Sequence, residues 1–152
     1  YLPKTCMVPI LCSFSLRDWE KDRTYLDQAA ELLWKLSRDH SVPVGLMASV
    51  DLAHIGPRYG DDFHPHDGHI ARHRISDLEL LRTLEEGNSE GFMEMLRKEK
   101  NERRVCGMAP LYILSRALEG RARGKLLHHG HAVVDDKGSF VTFAGMAFYP
   151  KS

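Results

Sequence analysis

The sequence predicts an α/β fold, in which helices pack on a mixed sheet that closes with a C-terminal β-hairpin. Three patterns carry that prediction. Short apolar runs at Thr5 to Phe14 and Val44 to Val50 flank a stretch with helical periodicity, as a β-α-β unit requires. The middle of the chain holds several amphipathic segments separated by glycine. Near the end, Asp135-Asp136-Lys137-Gly138 parts two strand-like runs with residues suited to a hairpin turn.

Taken in order, Thr5 to Phe14 is expected as a short strand, with Pro9 weighing against a central position. From Lys21 to Ser37, Leu26, Ala29, Ala30, Leu33 and Leu36 share one helical face. The stretch Val42 to Gly60 follows, in which a buried strand from Val44 to Val50 opens into a loop carrying Asp51, His54, Arg58 and Tyr59. The crossover between the two strands should be right-handed. Ligands in such sheets sit beyond the carboxyl ends of the strands, so this loop is the expected place for chemistry.

Arg58 to His73 reads as a long polar loop rich in glycine and histidine. Ser76-Asp77-Leu78-Glu79 fits a capping box, with Ile75 stapled onto Leu80, and predicts a helix to Glu86 that Gly87 stops. Asn88 is then the cap of a helix with Phe92, Met95 and Leu96 on its inner face. Cys106-Gly107 interrupts, and Pro110 suits the first turn of another helix whose Leu111, Leu114, Ala117 and Leu118 face the core until Gly120. Strands at Lys125 to Val134 and Ser139 to Tyr149 complete the chain.

Composition narrows the function classes. The 152 residues, 43% hydrophobic and 28% charged, suffice for a single domain over residues 1–152 with its own core. Twenty-one Lys+Arg balance 21 Asp+Glu, which removes the global electrostatic case for nucleic acid or an anionic membrane. Pairs such as Arg103-Arg104 and Arg121-Arg123 read as solvated surface. No apolar run nears the ~20 residues of a membrane helix, so a cytoplasmic location is the expectation. Cys6, Cys12 and Cys106 are odd in number and unrelated in spacing, which argues for free thiols. The chain starts without Met and runs at once into a strand, the pattern expected of the interior of a longer domain.

Four features could carry chemistry. Asp51 and His54 are three residues apart, so a tight turn could aim both at one cleft, His54 exchanging protons with the carboxylate beside it. Equally, Asp51 could cap the turn with His54 packed against it. Cys106 lies just before a helix start, near Arg103 and Arg104, where a thiolate is favoured as nucleophile or soft metal ligand; a small buried hydrophobe is the other reading. Cys6 and Cys12, inside the first strand, take that second reading. His64, His66 and His69, with Asp67 behind them, could bind zinc, though Pro65 and Gly68 suit a surface loop or cleft lid better. In His128-His129-Gly130-His131, strand alternation sends His129 and His131 to one face and His128 to the other, which suits strand packing.

The segment Ser49-Val50-Asp51-Leu52-Ala53-His54-Ile55-Gly56-Pro57-Arg58-Tyr59-Gly60 resembles the S-S-D-L-S-H-x-G-x-R-F motif of the MEMO family, also called AmmeMemoRadiSam system protein B. Val105-Cys106-Gly107-Met108-Ala109-Pro110-Leu111 resembles that family's T-x-C-G-x-x-P-I, Met7 to Leu11 its V-V-P-I-L strand, and Phe140 to Phe148 its closing strand. Val50 in place of a second serine and Cys12-Ser13 in place of Val-Gly are departures. The family is similar in fold to class III extradiol dioxygenases, which hold iron with two histidines and a glutamate; in MEMO proteins a cysteine replaces the glutamate.

The resemblance implies that this chain is the C-terminal half of a MEMO/extradiol dioxygenase-like α/β domain. It further implies Cys106 as a ligand of iron, copper or zinc, His54 as acid/base with Asp51 in support, and two further histidine ligands outside the chain. A thiolate is softer than a carboxylate, so ring cleavage does not follow from the shared fold. The expected function is that of a metal-dependent oxidoreductase or dioxygenase relative acting on a small-molecule or peptide ligand. AMMECR1-like and radical SAM proteins are the partners expected by family association. A non-catalytic metal- or peptide-binding module with a vestigial cleft is the competing class, and a zinc hydrolase built on His64, His66 and His69 a third.

Overall fold

The computed structural model describes residues 6–38 and 43–151. Among these residues it is an α/β fold of four helices and a three-stranded sheet. A 3₁₀ turn at Leu16–Asp18, started by the Ser15 hydroxyl accepting the Arg17 amide, leads into α1 (Trp19–Ser37). β1 is only His54–Ile55, and α2 (Asp67–Glu86), α3 (Ser89–Lys98) and α4 (Met108–Leu118) follow. The chain closes with the hairpin β2 (Ala122–Val133) and β3 (Phe140–Pro150), and the sheet order is β1-β3-β2, antiparallel throughout.

The helices form for the reasons visible in the sequence. Gly87 adopts φ 69° and ends α2, and the Asn88 side chain accepts the Gly91 amide at 2.8 Å to start α3. Trp19, Leu26 and Ala30 of α1 join Leu80, Leu81 and Leu84 of α2, Phe92, Met93 and Leu96 of α3, and Tyr112 and Ile113 of α4 in one core. Gly124 lets β2 lie against α2, because a Cβ there would sit 2.8 Å from the Glu85 Cα. Glu85 in turn accepts the Leu126 amide at 2.7 Å.

Several expectations are corrected. The described part of the first run, residues 6–14, carries no strand, nor do residues 43–50, so no right-handed β-α-β crossover forms; Thr5 and Val42 lie outside the described residues. A strand is held by its ladder, and neither run has a partner strand among the described residues. Met7, Val8, Ile10 and Leu11 are accordingly exposed, as are Val44 and Met47. Cys6 is exposed and Cys12 half-buried rather than enclosed in a strand.

The polar loop is also shorter than expected. α2 starts nine residues before Ser76, so Ser76 lies mid-helix, where its hydroxyl bonds back to the Arg72 carbonyl instead of capping. The cap is His66: its Nδ1 accepts the Gly68 amide at 3.1 Å, and His69 Nδ1 reaches back to the His66 amide at 3.3 Å. In α4 the buried face is Ala109, Tyr112, Ile113 and Ala117, while Leu111, Leu114 and Leu118 border an apolar groove beside residues 44–48. The bulge between Leu126 and His128 was not foreseen either. It changes the phase of β2: Ala122 and Gly124 point inward before it, and His129 after it.

Candidate functional site

The chain from Leu52 to Ile55 is tied to β3 by backbone bonds. Leu52 N–H donates to the Thr142 carbonyl at 2.9 Å, Thr142 N–H to the Ala53 carbonyl at 2.9 Å, and the Thr142 hydroxyl accepts the Ala53 amide at 2.9 Å. His54 then pairs with Val141. At Gly56, with φ 113°, the chain turns tightly against Ser139, whose hydroxyl accepts the Arg58 amide at 3.1 Å. Asp51 and His54 therefore stand on a backbone fixed from the sheet side.

Cys106 arrives from the other side, two residues before α4. Gly107 makes that approach possible. A Cβ on it would lie 2.6 Å from Val50 Cγ2 and 3.0 Å from the Asp51 carbonyl oxygen. The Cys106 thiol lies 3.6 Å from that same oxygen. One carboxylate oxygen of Asp51, one ring nitrogen of His54 and the Cys106 sulfur consequently all fall within 4.8 Å of one another.

The His54 ring is oriented by backbone, not by Asp51. Its Nδ1 lies 3.1 Å from the Leu52 carbonyl and 3.0 Å from the Arg104 carbonyl. Carbonyl oxygens only accept, so Nδ1 carries the hydrogen, and in the neutral ring Nε2 keeps its lone pair. Asp51 faces that Nε2 at 3.9 Å, beyond hydrogen-bonding distance. Tyr59 packs against the ring in a T-shaped arrangement at a centroid distance of 5.0 Å. The thiol suits a soft or borderline transition metal, and the imidazole lone pair and the carboxylate within 4.8 Å of it can either add to the donor set or exchange and steady a proton beside it.

A supporting layer escaped the sequence reading. Arg104, in the left-handed conformation at φ 53°, donates to the His54 carbonyl at 3.2 Å and to both oxygens of Asp61 at 2.7 and 3.3 Å. Asp61 also accepts the Gly56 amide at 2.7 Å. Burial alone would raise the Asp61 carboxyl, but the bonds from Arg104 and Gly56 hold it below the ordinary aspartate range. Next to it, the Arg103 carbonyl accepts the His54 amide at 2.8 Å, while its guanidinium pairs with Glu99 and with the fully buried Asp77. Arg103 and Arg104 are thus structural ties of this site, not solvated surface. No short-range motif marks Asp61 or Asp77 for that role.

The other histidines lie elsewhere. His64 reaches the Lys137 carbonyl at 3.3 Å, and His66 and His69 cap α2. Among the described residues the three do not form a metal-holding group, whereas Asp51, His54 and Cys106 do. His129 turns inward to Asp77, its side chain 6% exposed. None of the helices among the described residues is long and apolar enough to cross a membrane.

A family model described as "Memo-like protein" matches residues 2–147. A MEMO1 family protein of Aquifex aeolicus (strain VF5) is 27% identical over 149 residues, which cover 97% of this chain and 36% of that relative. The chain thus spans about a third of the length of the curated relative it matches.

Proposed function

The chain belongs to the Memo-like protein family, and from that premise we propose that it forms the Cys/His wall of a metal-dependent oxidoreductase or dioxygenase-like site. The observation that carries this reading is the convergence of Asp51, His54 and Cys106 within 4.8 Å. Cys106 anchors the metal through its sulfur, which must shed its proton to do so. A metal held there would supply Lewis-acid or one-electron chemistry to a bound small molecule.

His54 moves the proton. Its Nε2 has the lone pair needed to take a hydrogen from a substrate hydroxyl, and the Leu52 and Arg104 carbonyls then face the positive ring through Nδ1–H. Asp51, 3.9 Å from Nε2, stands beside the ring beyond hydrogen-bonding distance and does not take the proton itself. Ligands contributed from outside these residues would complete the coordination, and iron, copper and zinc are all compatible with the donors present.

Metal analysis of Cys106→Ala and His66→Ala variants tests the assignment. Loss of stoichiometric metal in the Cys106 variant alone is the expected result, and undiminished metal there would overturn it. With metal bound, turnover of catechol-like substrates under oxygen supports the enzyme. Metal binding without turnover of any such substrate transfers the site to the class of binding modules.

A further inference from the structure

His128-His129-Gly130-His131 plays no part in the site above, yet the bulge in β2 and the helix α2 build something around it. A cavity of about 310 Å³ lies between them, bordered by Asp67, Ile70 and Arg74 of α2, His129 and His131 of β2, and Thr142 of β3. Its volume is at the small end for ligand pockets. Among the described residues Arg74 enters no ion pair, and its side chain and that of His131 are exposed at the edge.

Of the lining residues His129 is the most constrained, because Asp77 behind it holds its ring. Asp77 is fully buried and its carboxylate, already paired with Arg103, can only accept. His129 Nε2, 3.0 Å from Asp77 Oδ2, is therefore the N–H donor. In the neutral ring that leaves Nδ1 as a lone-pair acceptor, with no hydrogen-bond partner among the described residues, on a side chain only 6% exposed. The cavity lining thus brings together a cationic donor, the Arg74 guanidinium, and two residues with an acceptor to offer, His129 through Nδ1 and Asp67 through its carboxylate.

We propose that this cavity is a phosphate site, taking inorganic phosphate or the monoanion of a small phosphate monoester. Such a ligand presents oxyanion edges to Arg74 and His131 and a P–OH group to His129 or Asp67. Sulfate has the same shape but no hydroxyl at neutral pH, so it meets the acceptors with lone pairs and is disfavoured. The site is separate from the Cys106 cleft and does not rest on the function proposed for it.

The test is titration of the full chain with inorganic phosphate at constant ionic strength, followed by calorimetry and by the imidazole C–H NMR signals of His129 and His131. Saturable binding with shifts at both rings is expected. Arg74→Gln and His131→Gln, both surface changes, should each weaken it roughly tenfold, the loss of one charge-assisted hydrogen bond. Arg82→Gln, on the same helix but outside the cavity, should leave it unchanged. Absence of saturable binding, unchanged affinity in the Arg74 and His131 variants, or sulfate binding as tight as phosphate would each overturn the proposal.

Discussion

The Nδ1 atom of His54 lies 3.0 Å from the carbonyl oxygen of Arg104, fifty positions along the chain, and that residue holds a left-handed backbone to put it there. The relationship fixes which ring nitrogen is free for chemistry. In ¹⁵N-resolved spectra of the neutral ring, His54 should show a protonated Nδ1 and an unprotonated Nε2. The opposite tautomer would remove the proton acceptor on which the proposed role of His54 depends.

Arg104 supports a second prediction, because its two contributions can be separated. Its guanidinium braces Asp61 and the His54 carbonyl, while its backbone pays for φ 53° with about 1 kcal/mol of strain that glycine would not bear. Arg104→Ala loses the bracing and keeps the strain. Arg104→Gly loses the bracing and relieves the strain, so it should be the more stable variant by about 0.5–1 kcal/mol in urea unfolding, reversing the usual order of alanine over glycine. A more stable alanine variant would mean that the backbone there is not held left-handed.

Gly107 offers a steric test of how Cys106 is delivered. Its backbone angles are ordinary, so the obstacle to a side chain is Val50 rather than strain. Gly107→Ala should destabilise by about 1–3 kcal/mol and weaken metal binding by moving the sulfur away from Asp51. Adding Val50→Ala to that variant removes the Cγ2 contact but keeps the Val50 Cβ at 2.9 Å and the Asp51 carbonyl oxygen at 3.0 Å, so it should recover only part of both losses, with a coupling energy of about 0.5–1 kcal/mol. Strictly additive losses would place the clash elsewhere.

Much of the helical framework was legible because its signals are local. Gly87 and Asn88 end one helix and start the next through atoms within three residues of each other. The approach of Asp51, His54 and Cys106 was legible only through motif resemblance, since the contacts that create it span fifty residues or more. What misled was also physical. Residues 6–14 and 44–50 have the apolar pattern of strands, but a pattern cannot supply a ladder partner. Ser76 to Glu79 has the letters of a capping box, yet His66 starts the helix earlier and the same letters then ride on its third turn. The bulge at Leu127, which turns His129 inward, left no mark in composition or alternation.

Asp77 gives the largest expected stability effect. Its carboxylate is fully buried and joins Arg103 to His129, and Arg103 in turn carries the carbonyl that holds the His54 amide. Asp77→Ala leaves a buried guanidinium with Glu99 as its one carboxylate partner among the described residues and strips His129 of its acceptor. A loss of about 3–5 kcal/mol is expected from urea unfolding. A loss under about 1 kcal/mol would show that the network adds little beyond packing.

His73 makes stability depend on pH near neutrality. Burial lowers its tendency to protonate, and the Arg103 charge adds to this, while Asp77 opposes it and the positive charges of His69 and Arg72 reinforce burial more weakly. Its Nδ1 is buried without a hydrogen-bond partner, so a proton placed there would have nothing to bond. The folded state thus binds its proton less readily than the unfolded chain, whose ordinary value is 6.5. The unfolded state takes up more protons between those two values, so stability is complete above about pH 6.5 and falls as the pH drops toward the folded value. Asp61 acts in the same direction, but only below about pH 4, where carboxylates titrate. In thermal unfolding from pH 7.5 to pH 5, the full chain should lose stability progressively, and His73→Gln should lose distinctly less. Parallel curves for the two proteins would show that His73 is not the group whose protonation opposes folding.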